Sequence, residues 1–254
     1  MVMGMKITIL MPAFNEEHHI NQGIKGIVNL VSKLGYDYEV IIIDDGSTDN
    51  TRNVAEKVAD NPHIQVIGYK QNRGKGNAIM YGLQHSKGDY VVFWDSDWEI
   101  EPLEFEDYII ALEHADIVIG SKRHPESLVE TPFIRKFLSY GFNLLIRLAL
   151  GIKITDTQTG FKVFRRERLE QIINLMSVTR YAFDAELLVI AELLKMKIIE
   201  LPVEIHLSAR LIGTDHILRI LFDMAGIAYR LRILRWYQKN LNNKSASYKP
   251  LIRV

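Results

Sequence analysis

The chain has 254 residues, 48% of them apolar and 24% charged, with no cysteine. That excludes a disordered or collagen-like chain, a disulfide scaffold, thiolate zinc sites and cysteine nucleophiles. The net charge of zero is unevenly spread: residues 1–120 carry −10, residues 121–204 carry +3 and residues 205–254 carry +7. An acidic front half suits a cation, and a basic end suits phosphates or an anionic membrane.

The first half alternates short apolar runs with helical patterns. Strands are predicted at Ile7–Met11, Glu39–Asp44, Ile64–Tyr69, Tyr90–Trp94 and Ile117–Gly120. Between them lie helices at Glu16–Leu34, Thr48–Asp60, Gly76–His85 and Pro102–His114. Continuous Val/Ile runs between helices predict a parallel sheet covered on both faces. Ligands bind such sheets at the carboxyl ends of the strands. In the second half, Thr131-Pro132 opens a helix that stops at Gly151. A loop (Ile154–Gly160), a strand (Phe161–Phe164), helices to Lys195 and a strand (Ile198–Val203) follow. Thr214–Asn240 reads as one basic amphipathic helix. The organisation expected is a catalytic domain over 1–204, with a nucleotide and metal half (1–120) and an acceptor half (121–204). A basic segment, 205–254, completes it.

The N-terminus enters an apolar run at once, so no signal peptide is expected. The apolar stretch 137–152 is cut by Asn143 and Arg147 and falls short of the ~20 residues of a spanning helix.

Chemistry-bearing residues follow the strands. Asp44-Asp45-Gly46-Ser47-Thr48-Asp49 is a carboxylate pair with a turn and helix cap, and it can also aim a carboxylate at a base or ribose. Asp95-Ser96-Asp97, with Glu99 continuing the alternation, suits a hard cation that shares its shell with phosphates; as a bare sequence it is also a surface turn. Asn72-Arg73-Gly74-Lys75-Gly76-Asn77 lacks the phosphate-loop spacing, and no dinucleotide fingerprint follows the first strand. Nucleoside-triphosphate hydrolysis and nicotinamide chemistry are therefore demoted. No nucleic-acid motif is present, and no nucleic-acid partner is expected.

Together with Pro12-Ala13-Phe14-Asn15-Glu16-Glu17, these motifs resemble, in order and spacing, the family 2 glycosyltransferases. Asp156-Thr157-Gln158-Thr159-Gly160-Phe161-Lys162 and Phe183-Asp184-Ala185-Glu186-Leu187-Leu188 narrow the resemblance to the dolichyl-phosphate β-glucosyltransferases. The polyprenyl-phosphate mannose synthases are the neighbouring branch.

The resemblance implies an α/β fold of the nucleotide-diphospho-sugar transferase (GT-A) type, a mostly parallel sheet with helices on both faces. It implies inverting transfer of a hexose, glucose favoured, from a nucleotide-diphospho-sugar to a polyprenyl or dolichyl phosphate. The alternatives are GDP-mannose as donor, a soluble saccharide acceptor, and a non-catalytic binder. It places Pro12, Ala13, Phe14, Asn15, Glu16, Asp45, Gly46, Ser47, Lys75, Gly76 and Ser96 at the donor. Asp95 and Asp97 hold Mg²⁺ or Mn²⁺, with Glu99 as a third oxygen. Lys122 or Arg123 stands where the family carries an arginine, and Arg135 and Ser139 match the acceptor-phosphate residues. The family's lysine in the loop before the last helix is missing here, and Arg210 is expected to compensate by reaching the donor diphosphate. Thr159, Gly160, Asp184 and Glu186 fall near the sugar, although Asp184 and Glu186 can equally serve Arg180 or cap their helix. Membrane contact is expected through 133–150 and 214–240. The place implied is the cytoplasmic face of a membrane, held peripherally and without a spanning helix.

Overall fold

The computed structural model describes residues 5–129, 141, 143, 144, 146–180, 182–206 and 214–242, of which 214–221 and 242 by backbone alone. Its centre is a nine-stranded sheet of β1 (Lys6–Ala13), β2 (Asp37–Asp45), β3 (Ile64–Tyr69), β4 (Tyr90–Phe93), β5 (Ile100–Pro102), β6 (Ile117–Ser121), β7 (Leu128–Val129), β8 (Lys162–Arg165) and β9 (Ile198–Ile205). The order is β3-β2-β1-β4-β8-β6-β9-β5, and β7 pairs with β9. Strands β1 to β4 run parallel, β8 is antiparallel to both of its neighbours, and β6 and β9 are parallel again. The carboxyl ends of β1, β2, β4 and β6 thus share one edge, and the amino end of β8 lies between the last two.

The predicted strands are found. Two short ones, β5 and β7, have no apolar alternation and are fixed by pairing to β9. Because β9 runs through Ile205, the sequence boundary at 204 falls inside a strand.

Helices α1 (Ile20–Val31), α2 (Thr51–Val58) and α4 (Phe105–Ala111) cover one face; α3 (Lys75–Gln84), α5 (Arg166–Ile173) and α6 (Phe183–Leu193) cover the other. On α1 the buried residues Ile20, Ile24, Ile27 and Val31 recur at helical spacing against Ile7, Ile9 and Met11 of β1. Each such side chain contributes roughly 1.5–3 kcal/mol on full burial. Helix α6 is buried along nearly its whole length, which is why its sequence is mostly apolar, with Asp184, Glu186 and Glu192 the exceptions.

The predicted helix over 214–240 is two helices, α7 (Thr214–Arg232) and α8 (Trp236–Asn242). The chain turns between them at Arg235, whose φ is 48°. The apolar face proposed for lipid is instead largely docked. Met224 and Ile227 are buried against Ile146, Leu150 and Val189, with Ala228 and Leu231 packed beside them. Among the described residues, no helix is long and apolar enough to cross a membrane.

Candidate active site

Two loops at the β1 and β2 ends are laced together. The Asn15 N–H donates to Ser47 Oγ (3.1 Å) and Thr48 N–H donates to Asn15 Oδ1 (2.9 Å). Glu16 N–H donates to Thr51 Oγ1 (2.7 Å), and Asn50 N–H donates to Glu17 Oε2 (2.9 Å). Gly46 turns the chain at a φ of 71°, a conformation costly for other residues, while Asp44 accepts from Ser47 N–H (3.0 Å). Pro12 and Ala13 are buried as the end of β1, so of the predicted donor loop Phe14 stands out, 42% exposed, beside exposed Asn15.

Asp45, expected at the nucleoside, is engaged by the chain itself. Its carboxylate accepts from Tyr69 O–H (2.7 Å), Arg73 N–H (2.8 Å), Asn72 Nδ2 (2.9 Å) and Gly74 N–H (2.9 Å). A carboxylate has about four acceptor positions, and the chain fills them. Asp45 therefore builds the 72–74 loop that leads into α3. Burial, and then the hydrogen bond and charge of Asp45, push the Tyr69 hydroxyl's pKa up. Gly76, the second residue of α3, leaves room for the Phe183 ring, which a side chain there would strike.

Beyond β4, an array of alternating charges reaches inward. Lys75 Nζ lies 2.7 Å from Asp95 Oδ1 and 3.4 Å from Asp184 Oδ2. Asp184 Oδ1 lies 2.5 Å from Nζ of the fully buried Lys162, which also donates to the Thr159 carbonyl. Burial works against the Lys75 charge, but Asp184 and Asp95 outweigh it and its pKa is raised. Burial likewise opposes the Asp184 carboxylate, and Lys162 and Lys75 outweigh it, so its pKa is lowered. For Lys162 burial wins and its pKa is lowered.

Asp97 is different. Burial, and then the charge of Asp95, Glu99 and Glu16, push its pKa up to about 7. Its Oδ1 accepts from Glu99 N–H at 3.1 Å. The expected three-carboxylate cage of Asp95, Asp97 and Glu99 is not formed: among the described residues no three His, Asp or Glu side chains are placed to hold an ion. Asp95 is committed to Lys75 and lies over Gly160, while Asp97 turns to the Glu99 backbone. The donor chemistry still fits a hard divalent cation, all oxygen and with crowded negative charge at Asp97. Asp95 and Asp97 could hold such an ion if a bound ligand completed its shell, as Mg²⁺-type sites commonly arrange.

The 156–160 loop is pinned from several sides. Glu200 accepts from Thr155 N–H (2.8 Å) and Asp156 N–H (3.1 Å), and Asp156 accepts from Lys122 N–H (3.0 Å). This ties the loop to the end of β6, where Lys122 and Arg123 are half-buried and Ser121 is buried. Among the described residues no carboxylate pairs with Lys122. Asn143 does not face water: it is buried and reaches Thr157 Oγ1 from 3.4 Å. Arg135, Ser139 and Arg210 lie outside the described residues.

The residues expected at a sugar are re-assigned by their burial. Thr159 is buried, and its carbonyl holds Lys162. A Cβ built on Gly160 would lie 1.8 Å from Asp95 Oδ2, so the glycine makes room for that carboxylate. Glu186 is fully buried and accepts from Ser177 N–H (2.9 Å), Ser177 Oγ (2.6 Å), Val178 N–H (2.7 Å) and the Tyr237 hydroxyl. It anchors the 177–178 turn and the Tyr237 hydroxyl. Arg180 pairs with neither expected carboxylate; it donates to Asn72 Oδ1 and to the Asn72 carbonyl. Of the expected sugar residues, Asp184 alone combines slight exposure with contact to the charge array. Sequence reasoning missed Lys162, Asn72, Glu200 and Tyr237. Lys162 lies within a quoted motif, but nothing local says that a lysine there is buried.

Residues 8–173 match the model of the glycosyl transferase family 2 domain. A dolichyl-phosphate beta-glucosyltransferase of Trichomonas vaginalis is 32% identical over 249 residues, covering 92% of this chain and 74% of that protein. The human dolichyl-phosphate beta-glucosyltransferase is 34% identical over 215 residues, covering 78% of this chain and 66% of that one. Among solved structures, glucosyl-3-phosphoglycerate synthase from Mycobacterium tuberculosis with Mn²⁺, UDP-glucose and phosphoglyceric acid superimposes with a TM-score of 0.65 at 22% identity. That likeness covers 89% of this chain and 79% of the synthase. The order of the motifs, the shared sheet edge and these matches agree: the fold is of the GT-A type, and the chain belongs to glycosyltransferase family 2.

Proposed function

We propose that this protein transfers glucose from UDP-glucose to a dolichyl or polyprenyl phosphate, with inversion at the anomeric carbon and with Mg²⁺ or Mn²⁺. The observation that carries this reading is the sheet edge itself. It sets a crowded carboxylate, Asp97, beside the Lys75–Asp95 pair, and Lys122, without a carboxylate partner among the described residues, is tied through its N–H to Asp156 of the 156–160 loop. The curated relatives named above supply the donor sugar and the lipid acceptor.

A phosphate oxygen of the lipid attacks the sugar C1, the bond from C1 to the diphosphate oxygen breaks, and UDP leaves with the electron pair. A phosphomonoester has a second pKa of about 6, so the nucleophile is already deprotonated at neutral pH and needs no strong base. The protein's task is to bring two anions together. Lys122 and Arg123 meet the acceptor phosphate, and Asp95 and Asp97 would hold the cation. When bound, that cation neutralises charge on the departing diphosphate. Lys75, held by Asp95 and Asp184, adds a fixed positive charge at the same place.

The test is to incubate the protein with Mn²⁺, a polyprenyl phosphate, and separately UDP-glucose and GDP-mannose, and to read glycolipid by mass spectrometry. Metal-dependent glucolipid, lost in Asp97→Ala, is expected. Mannolipid in its place would assign the neighbouring branch. UDP release with 3-phosphoglycerate but not with lipid would replace the acceptor by a soluble one.

Membrane contact is placed within the expected segments 133–150 and 214–240, on the apolar residues there that stay exposed. Phe222 and Tyr229 on α7 and Ile233 just past its end follow one another at helical spacing, 78%, 50% and 70% exposed. Leu148, 69% exposed, is adjacent because Arg232 donates to its carbonyl (2.9 Å). Arg232, Arg235 and Lys239 are exposed beside this strip. Apolar residues with flanking cations suit an anionic leaflet, at roughly 1 kcal/mol per cation near the surface. In liposome flotation with phosphatidylserine vesicles, the paired change Phe222→Glu/Ile233→Glu is expected to abolish binding without altering the melting temperature. Undiminished flotation would show that this face is not the contact. The proposed place is the cytoplasmic face of the membrane.

A further inference from the structure

We infer that Lys162 is the positioning residue for Asp95, because two separate constraints on that carboxylate both begin at its buried ammonium. The inference rests on the proposed function, in which Asp95 faces the donor diphosphate and its cation. The first constraint runs through the backbone. Lys162 Nζ holds the Thr159 carbonyl, and the next residue, Gly160, lies so close beneath Asp95 Oδ2 that a Cβ would overlap it. The second runs through charges. Lys162 Nζ holds Asp184 Oδ1 at 2.5 Å, Asp184 Oδ2 faces Lys75 Nζ at 3.4 Å, and Lys75 Nζ meets Asp95 Oδ1 at 2.7 Å. One ammonium thus bears on both oxygens of Asp95, one from below and one from the side.

Physical chemistry gives a reason for a charge at this costly place. Burying a lysine in full is expensive unless it is paired. Lys162 is 0% exposed, and Asp184 and a carbonyl offset only part of the cost of its burial. A purely structural role would need neither the shared partner with Lys75 nor the contact at the residue before Gly160. The array of Asp95, Lys75, Asp184 and Lys162 is neutral overall, so removing the inner pair together leaves no unpaired ion. That separates stability from positioning.

Calorimetry of UDP and of UDP-glucose, each with Mn²⁺, tests this on the full chain. The variants are Lys162→Met, Asp184→Asn and the two combined, with thermal unfolding of each. The single changes are expected to lower the melting temperature, and the combined change to recover most of it. Affinity for UDP and for UDP-glucose is expected to fall together, by about 10–100-fold, and to stay low in the combined variant, as for other residues that orient metal-site ligands. A combined variant that regains both stability and affinity would show a structural role and overturn the inference. Weakening of UDP-glucose alone would make Asp184 a sugar contact and overturn it equally. Should the methionine variants not fold, the isosteric Asp184→Asn decides: unchanged UDP affinity overturns the inference, and a joint loss sustains it. If the unaltered protein binds neither ligand, the proposed function falls and this inference with it. If it binds both and every folded variant matches it, the inference falls alone.

Discussion

Replacing Gly160 by alanine is expected to cut glucosyl transfer by about 100-fold while leaving the fold nearly as stable as before. The alanine Cβ would sit 1.8 Å from Asp95 Oδ2 and 2.4 Å from its Cγ. Both atoms belong to the outer part of a side chain that is partly exposed. The carboxylate can swing aside, so the backbone need not move. Its displacement by an ångström or more takes it from the place where the cation and diphosphate would meet it, and misplacement on that scale costs about two orders of magnitude. Thermal unfolding and steady-state rates on one preparation check this. A large fall in melting temperature with proportionate loss of activity would mean that Gly160 serves packing alone. Full activity would mean that Asp95 does not need its present position.

The second large effect concerns stability. Glu186→Ala is expected to destabilise the protein by roughly 3–5 kcal/mol, the range for breaking a buried charged network. The carboxylate accepts from two backbone N–H groups, Ser177 Oγ and the Tyr237 hydroxyl, and Arg230 Nη2 stands 3.7 Å away. Alanine leaves those donors buried without a partner. The same network joins α6, the 177–178 turn and α8. The next residue, Thr179, accepts from Gly76 N–H at the start of α3. Denaturant unfolding checks the figure. A change below about 1 kcal/mol would show that water satisfies the freed groups and that α8 is not anchored here.

The sheet was legible from the sequence because continuous Val/Ile runs such as residues 40–43 and 117–119 admit few other placements between helices. The cluster of motifs was legible for a related reason: each follows a strand, and parallel strands bring their carboxyl ends to one edge. Asp95 and Asp97 were legible at that edge for this reason, whereas Gly160, which precedes a strand, was legible only through the family resemblance. The strand that carries Lys162 into the core was legible, but its antiparallel direction was not, since direction depends on the path of the connection and not on the four residues of the strand. The same holds for which carboxylates stay available. Asp45, Asp184 and Glu186 look alike in sequence. Yet Asp45 is saturated by the 72–74 loop, Asp184 lies between two lysines, and Glu186 is closed off by a tyrosine 51 positions later. The C-terminal helix shows the limit again. Its helical periodicity was plain, but Met224 and Ile227 went inward and Phe222 and Ile233 outward, a choice made by the cluster of Ile146, Leu150 and Val189 that receives it. Periodicity fixes which residues share a face; what that face meets depends on partners distant in the chain, and burial and hydrogen bonding there set the role of each charged group.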